Sequence, residues 1–127
     1  MLRACRDLLK PGGRLAFATI YIRPGVDERA YRRASRARGR GVASKSAIPD
    51  LLRAAGFVDV RESDVTPAFV RTTRAFLDTS HDVHDALRAE WGDAPLAQSR
   101  AHWRKTLAVT GEGILCRGIF SARRPKR

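Results

Sequence analysis

The stretch Leu15-Ala16-Phe17-Ala18-Thr19-Ile20-Tyr21-Ile22 constrains the fold more than any other part of the chain. It is apolar on both alternating faces, the pattern of a strand inside a parallel sheet that helices cover on both sides. The residues before it supply its start. Leu2, Cys5, Leu8 and Leu9 recur at helical spacing, and Pro11-Gly12-Gly13 stops that helix. Residues 2–10 are therefore expected as a short helix, and 15–22 as a central strand.

The rest of the chain alternates in the same manner. Pro24-Gly25 reads as a turn, and the arginine-rich stretch Glu28 to Arg40 as a surface segment, partly helical at best. Ser46 is the expected N-cap of a helix that tolerates Pro49 in its first turn, buries Leu51, Leu52 and Ala55, and ends at Gly56. Phe57 to Arg61 alternates Val58 and Val60 with Asp59 and Arg61, which marks a half-exposed edge strand. Between Pro67 and Glu112 the periodicity is helical. Phe69, Val70, Thr73, Phe76 and Leu77 form one stripe, Leu87, Trp91, Trp103 and Leu107 fall on later helices, and Asp93-Ala94-Pro95 divides them. A last strand spans Ile114 to Ala122, with Ile114, Cys116, Gly118 and Phe120 on one face, before the basic tail Arg123 to Arg127. Helices and strands in this order define an α/β fold with a mostly parallel sheet.

At 127 residues the chain has the length of one domain. Its 25 basic and 13 acidic residues leave a formal charge of +12, which raises nucleic acid as a partner. Arginine dominates: only four of the 25 basic residues are lysine, a bias that abundant Ala and Gly trace to a GC-rich genome. Arg29, Arg33, Arg36 and Arg40 would share a helix face, but no aromatic beyond Tyr31 is interleaved for base stacking. A solvated face is the expectation, and a small basic nucleic-acid-binding protein the alternative. The two cysteines, Cys5 and Cys116, are far apart and form no metal-binding or disulfide pattern. His81 and His84 stand three apart without an evident third ligand, so no metal site is expected. The longest apolar run has eight residues against the ~20 that a bilayer span needs, and a soluble, cytoplasmic chain with no membrane partner is the expectation.

Several of these segments resemble a known family. Leu8-Leu9-Lys10-Pro11-Gly12-Gly13-Arg14-Leu15-Ala16-Phe17 resembles the helix, turn and strand entry to the fifth strand of class I S-adenosylmethionine-dependent methyltransferases. Leu51-Leu52-Arg53-Ala54-Ala55-Gly56-Phe57, with Val58 and Val60, is similar to that family's last crossover helix and sixth strand. Ile119-Phe120-Ser121-Ala122-Arg123-Arg124-Pro125 is similar to its closing antiparallel strand. The resemblance covers nearly the whole chain and only the carboxyl-terminal half of the family's domain. It implies a partial Rossmann-like sheet made of the last three strands, the final one antiparallel, with an inserted helical cap. Residues 1–65 would hold the helix, strand, crossover helix and edge strand, 66–112 the cap, and 113–127 the closing strand and tail.

The resemblance implies S-adenosylmethionine as cofactor and methyl transfer to a small-molecule acceptor. The family's glycine-rich loop and its ribose-binding acidic residue would lie upstream of Met1, so no cofactor-binding residue carries over. Gly39-Arg40-Gly41 follows an arginine-rich stretch and Gly111-Glu112-Gly113 precedes a strand, so neither G-x-G pair substitutes. No catalytic residue is nominated. The chain alone is expected to be inactive, with an upstream half or self-association through an open sheet edge as partner, and a non-catalytic remnant as a further alternative.

The substrate side remains. Ligands of open α/β sheets bind beyond the carboxyl ends of the strands, which nominates Tyr21, Ile22 and Arg23. Tyr31 would lie in a segment over the acceptor. Residues 66–112 exceed a simple connection, so Phe69, Phe76, Trp91 and Trp103 are candidates to line the pocket, although aromatics at helical spacing are more often core.

Overall fold

A computed structural model describes residues 1–37 and 45–127. In chain order its elements are α1 (Leu2–Leu8), β1 (Arg14–Ile22), α2 (Glu28–Ala37), α3 (Ile48–Ala54), β2 (Val58–Asp64), α4 (Thr66–Asp82), α5 (His84–Trp91), α6 (Asp93–Gly111) and β3 (Leu115–Arg123). The strands form one sheet in the order β1-β3-β2, both pairings antiparallel.

The resemblance implies the Leu15, Ile114 and Phe57 strands side by side in that order, which is the order found, while the pairing corrects two expectations about the sheet. β1 and β2 run parallel to each other, yet β3 lies between them, so no pairing among the described strands is parallel. Among the described strands β1 pairs with β3 alone and is therefore an edge of this three-stranded sheet rather than its centre. Its two faces differ accordingly: Leu15, Phe17, Thr19 and Tyr21 are half-buried, while Ala16 and Ala18 opposite them are exposed.

The turn into β1 forms as the sequence suggests. Gly12 adopts φ +76, a conformation that L side chains rarely take, and its N–H donates to the carbonyl of Arg124 at 3.0 Å. Arg124 also donates from Nη1 to the carbonyls of Arg6, Asp7 and Leu9, satisfying acceptors that the end of α1 leaves open. α1 stops earlier than the expected residue 10, and Leu8 is 88% exposed, so only Leu2 and Leu9 of its stripe pack against the core.

Two apolar clusters hold the layers together. On one sheet face Phe120 and Ala122 pack with Ile48, Leu52, Ala55 and Phe57 of the α3 region, and Phe17, Tyr21 and Leu15 close the edge. The second cluster joins Ile22 and Leu115 to Ala34 and Ala37 of α2 and to Val109 of α6. α2 is thus a regular helix with a buried side, where the sequence suggested a surface segment that is partly helical at best. Alanine fills that side, and Thr106 Oγ1 donates to the Ala37 carbonyl. Arg40 of the proposed arginine face, and Gly39-Arg40-Gly41, lie outside the described residues.

α3 starts one residue later than a Ser46 cap would require, with Ala47 at the N-cap in extended backbone and Pro49 in the first turn. Its stripe is Ile48, Leu52 and Ala55, with Leu51 half-buried, and Gly56 at φ +89 ends it. β2 continues three residues past the alternating segment. A bulge between Val58 and Arg61 puts Asp59 at φ +51 and resets the register.

α4, α5 and α6 occupy residues 66–111. They pack on one another through Phe76 and Trp103, whose ring centroids are 6.0 Å apart, and through Arg100, which donates to the Ser80 hydroxyl at 3.0 Å. Among the described residues no helix is long and apolar enough to cross a membrane.

Candidate functional site

A cavity of about 440 Å³ opens at the carboxyl ends of β1 and β2, beside the start of β3. Alternation decides which side chains reach it. Glu62 and Asp64 lie opposite Phe120 and Gly118, and Tyr21 lies opposite Cys116, so all four project from one sheet face. Arg23, Pro24, Ile48, Pro49, Thr66 and Gly113 complete much of the wall.

The polar groups are linked. The Tyr21 hydroxyl donates to Glu62 Oε1 at 3.1 Å. Its ring stands edge-on to Phe120, centroids 5.6 Å apart. Burial, with the Cys116 and Glu62 charges and the Glu62 hydrogen bond, pushes the phenol well above its usual range, so Tyr21 remains a donor throughout physiological pH. Asp64 accepts the Thr66 backbone N–H at 2.9 Å, and the Thr66 hydrogen bonds hold its carboxyl below the usual range. The Thr66 hydroxyl in turn accepts the Arg117 N–H at 3.0 Å, which fixes the first turn of α4 against β3. Burial, followed by the Asp64 charge, pushes the Cys116 thiol up, so this cysteine is held as a thiol at neutral pH.

Arg23 is exposed at the rim, its N–H donating to the Ile114 carbonyl at 2.7 Å. Gly113 has φ +74, and a Cβ there would sit 3.3 Å from Arg23 Nη1, so the glycine gives the guanidinium its space. Two carboxylates, a phenol donor and a guanidinium around a cavity of this size suit a small polar molecule.

Of the residues nominated from sequence, Tyr21 and Arg23 line this cavity, while Tyr31, Trp91 and Trp103 do not. Tyr31 packs against the cluster of Ile22 and Val109, with Lys45 Nζ 5.2 Å from its ring centroid. Trp91 is 46% exposed at the end of α5. Trp103 is occupied by Phe76, and Phe69 by the Arg117 guanidinium 5.5 Å from its ring centroid. Among these aromatics only Phe76 and Trp103 pack within the helical segment, which reaches the cavity through Thr66. Glu62, Asp64, Thr66 and Cys116 were not nominated. The signal available was the polar run Glu62-Ser63-Asp64 directly after an alternating strand, which extends that strand to a ligand-binding end.

Among the described residues no group of three His, Cys, Asp or Glu side chains is placed to hold a metal ion. His84 Nδ1 lies 3.1 Å from Arg100 Nη2, which ties His84 to α6.

No family model and no curated protein sequence matches the chain. Solved structures do match it in shape. Phosphoethanolamine N-methyltransferase 2 from Haemonchus contortus, solved with phosphomonomethylethanolamine and S-adenosylhomocysteine, superposes with a TM-score of 0.81 at 17% identity, over 98% of this chain and 29% of that one. A protein described as a sarcosine dimethylglycine methyltransferase, from Galdieria sulphuraria, gives 0.85 at 15% identity, over 99% of this chain and 47% of that one. The [4+2]-cyclase SpnF gives 0.61 at 22% identity, over 98% and 43%. The fold is therefore that of the carboxyl-terminal portion of Rossmann-like, S-adenosylmethionine-dependent methyltransferases, and the chain spans less than half the length of these proteins. A cyclase with the same fold means that shape alone does not fix the chemistry.

Proposed function

We propose that this chain is the acceptor-binding half of an S-adenosylmethionine-dependent methyltransferase, and that the cavity at the ends of β1 and β2 holds a small-molecule acceptor. The observation that carries this reading is the joining of Tyr21, Glu62 and Asp64 at the carboxyl edge of a methyltransferase-like sheet. Methyl transfer to nitrogen or oxygen needs chiefly alignment of nucleophile and methyl group, and a base only where the acceptor must lose a proton. Tyr21 keeps its proton and orients Glu62, whose carboxylate, with Asp64, takes a hydrogen bond or cationic charge from the acceptor. Arg23 at the rim suits an anionic group on the same molecule. The helices of residues 66–112 support this wall from behind as the cap.

The described residues do not fit the cofactor. The loop after β1 begins Arg23-Pro24-Gly25 and β2 runs directly into Val65 and α4, so neither provides a glycine-rich turn, and Gly111-Glu112-Gly113 precedes β3. No step through the cofactor is derived from them. The reading instead requires a complementary segment that places the methyl donor.

Calorimetric titration tests this. The 127-residue chain with S-adenosylmethionine is expected to show no saturable binding, and supplying an upstream methyltransferase half, fused or as a second chain, to restore binding and turnover. Saturable binding by the chain alone tighter than about 100 μM, near −5.5 kcal/mol, overturns the assignment of the cofactor to another segment. In the completed enzyme Glu62→Gln is expected to lower kcat/KM for the acceptor while leaving cofactor affinity unchanged. An unchanged kcat/KM overturns the placement of the acceptor.

A further inference from the structure

At the opposite end of the sheet, and on its opposite face, lies a second cavity of about 260 Å³ lined by Arg14, Leu15, Ala16, Asp59, Arg61, Ser121, Ala122 and Arg123. Three arginines from three strands meet there. Arg14 and Arg123 are direct cross-strand partners, and Arg61 lies opposite Ser121, two residues along the same face from Arg123. Like charges placed directly opposite on adjacent strands destabilise a sheet, because their Cβ atoms are only about 5 Å apart. The one acidic neighbour does not resolve this. Asp59 Oδ2 stands 3.7 Å from Arg123 Nε, beyond hydrogen-bond reach, and Nε is buried with no hydrogen-bond partner among the described residues. Asp59 itself is held at φ +51, a strained backbone for a non-glycine residue, at the bulge that brings Arg61 into line.

We infer that this cavity is a binding site for a phosphate group, taken up by the guanidinium groups of Arg14, Arg61 and Arg123. One carboxylate against three guanidiniums leaves two positive charges, the complement of a phosphate dianion. The planar forks of arginine match phosphate oxygens in pairs. Among the described residues no aromatic side chain lines the cavity, so the phosphate is read and not a base attached to it. The site is independent of the methyltransferase reading, since it shares no residue with the acceptor cavity.

The test uses the full chain at low ionic strength, titrated with inorganic phosphate, pyrophosphate, adenosine diphosphate and hexaglutamate. Saturable binding of pyrophosphate below about 1 mM is expected. The Arg14→Gln/Arg61→Gln double variant should weaken it roughly tenfold or more, and Arg32→Gln/Arg36→Gln on α2 should leave it within about twofold. All four side chains are exposed, so the variants should keep the wild-type far-ultraviolet circular dichroism. Pyrophosphate binding as tightly as the nucleotide assigns the site to free phosphates, and a nucleotide that binds tighter assigns it to a phosphate carried on a larger molecule. Absence of saturation, equal losses in both double variants, or hexaglutamate binding as tightly as pyrophosphate each overturns the site.

Discussion

The two ends of one three-stranded sheet carry opposite charge. Where β1 and β2 end, Glu62 and Asp64 face a cavity with Tyr21; where they begin, Arg14, Arg61 and Arg123 face another. Arg61 and Glu62 are neighbours in sequence, and the pleat sends them to opposite faces and opposite cavities. The polar groups differ in how well they are satisfied. Tyr21 is hydrogen-bonded to Glu62 and Thr66 to Asp64, whereas Arg123 Nε has no hydrogen-bond partner among the described residues. The difference teaches that the first end is preorganised by its own side chains, while the second holds charge that only an added anion would neutralise.

Phe120 joins the two ends, and its removal is the largest effect expected. The ring is fully buried, stacked on Phe17 at 5.5 Å and edge-on to Tyr21. Phe120→Ala should cost about 3–5 kcal/mol in chemical denaturation. A loss under ~1 kcal/mol would show that the two ends do not share a core. Gly118→Ala is a sharper cut, because the new Cβ would meet the Phe120 ring at 2.8 Å and Tyr21 Cε1 at 3.2 Å. It should cost roughly 1–3 kcal/mol and disturb the Tyr21 environment by near-ultraviolet circular dichroism, while pyrophosphate affinity at the arginine end changes little.

A smaller effect separates charge from burial at the acidic end. Asp64→Asn removes a negative charge that raises the Cys116 thiol. Less opposition to the thiolate lowers its pKa, so alkylation of Cys116 at pH 8 should accelerate several-fold. An unchanged rate would leave burial as the sole cause. The smallest effect is at the other end. Arg14→Gln relieves the like-charge pairing with Arg123 and should stabilise the protein by about 0.2–1 kcal/mol at low salt, less at high salt. Destabilisation would mean that the arginine stem contributes more by packing than its charge takes away.

The sequence made some of this legible and hid the rest for physical reasons. The doubly apolar run of β1, the stops at Gly12 and Gly56 and the alternation of Val58 and Val60 follow directly from backbone freedom and burial, and all three strands and their order were readable. α2 was not, because alanine lines its buried side and gives little apolar contrast between Ala34, Ala37 and the arginines around them. The far half of β2 was hidden because Glu62 and Asp64 face a cavity instead of a core, and hydrophobic periodicity is blind to such a strand. Trp91 and Trp103 drew notice as bulky aromatics, although size does not report which way a helix is turned. Tyr21 and Arg23 were placed by the strand-end rule, which depends on topology alone.

The position of β3 bears on how the molecule comes into being. It is the last of the described strands in sequence and lies between the other two, so among the described strands β1 and β2 have no common partner until residues 115–123 have left the ribosome. During synthesis the apolar stretch from Leu15 to Ile22 waits for β3 while about a hundred further residues are added, at roughly 5–20 per second. Pairing of β1 with β3 is then one late event that joins segments about a hundred residues apart, a non-local contact of the kind that slows folding.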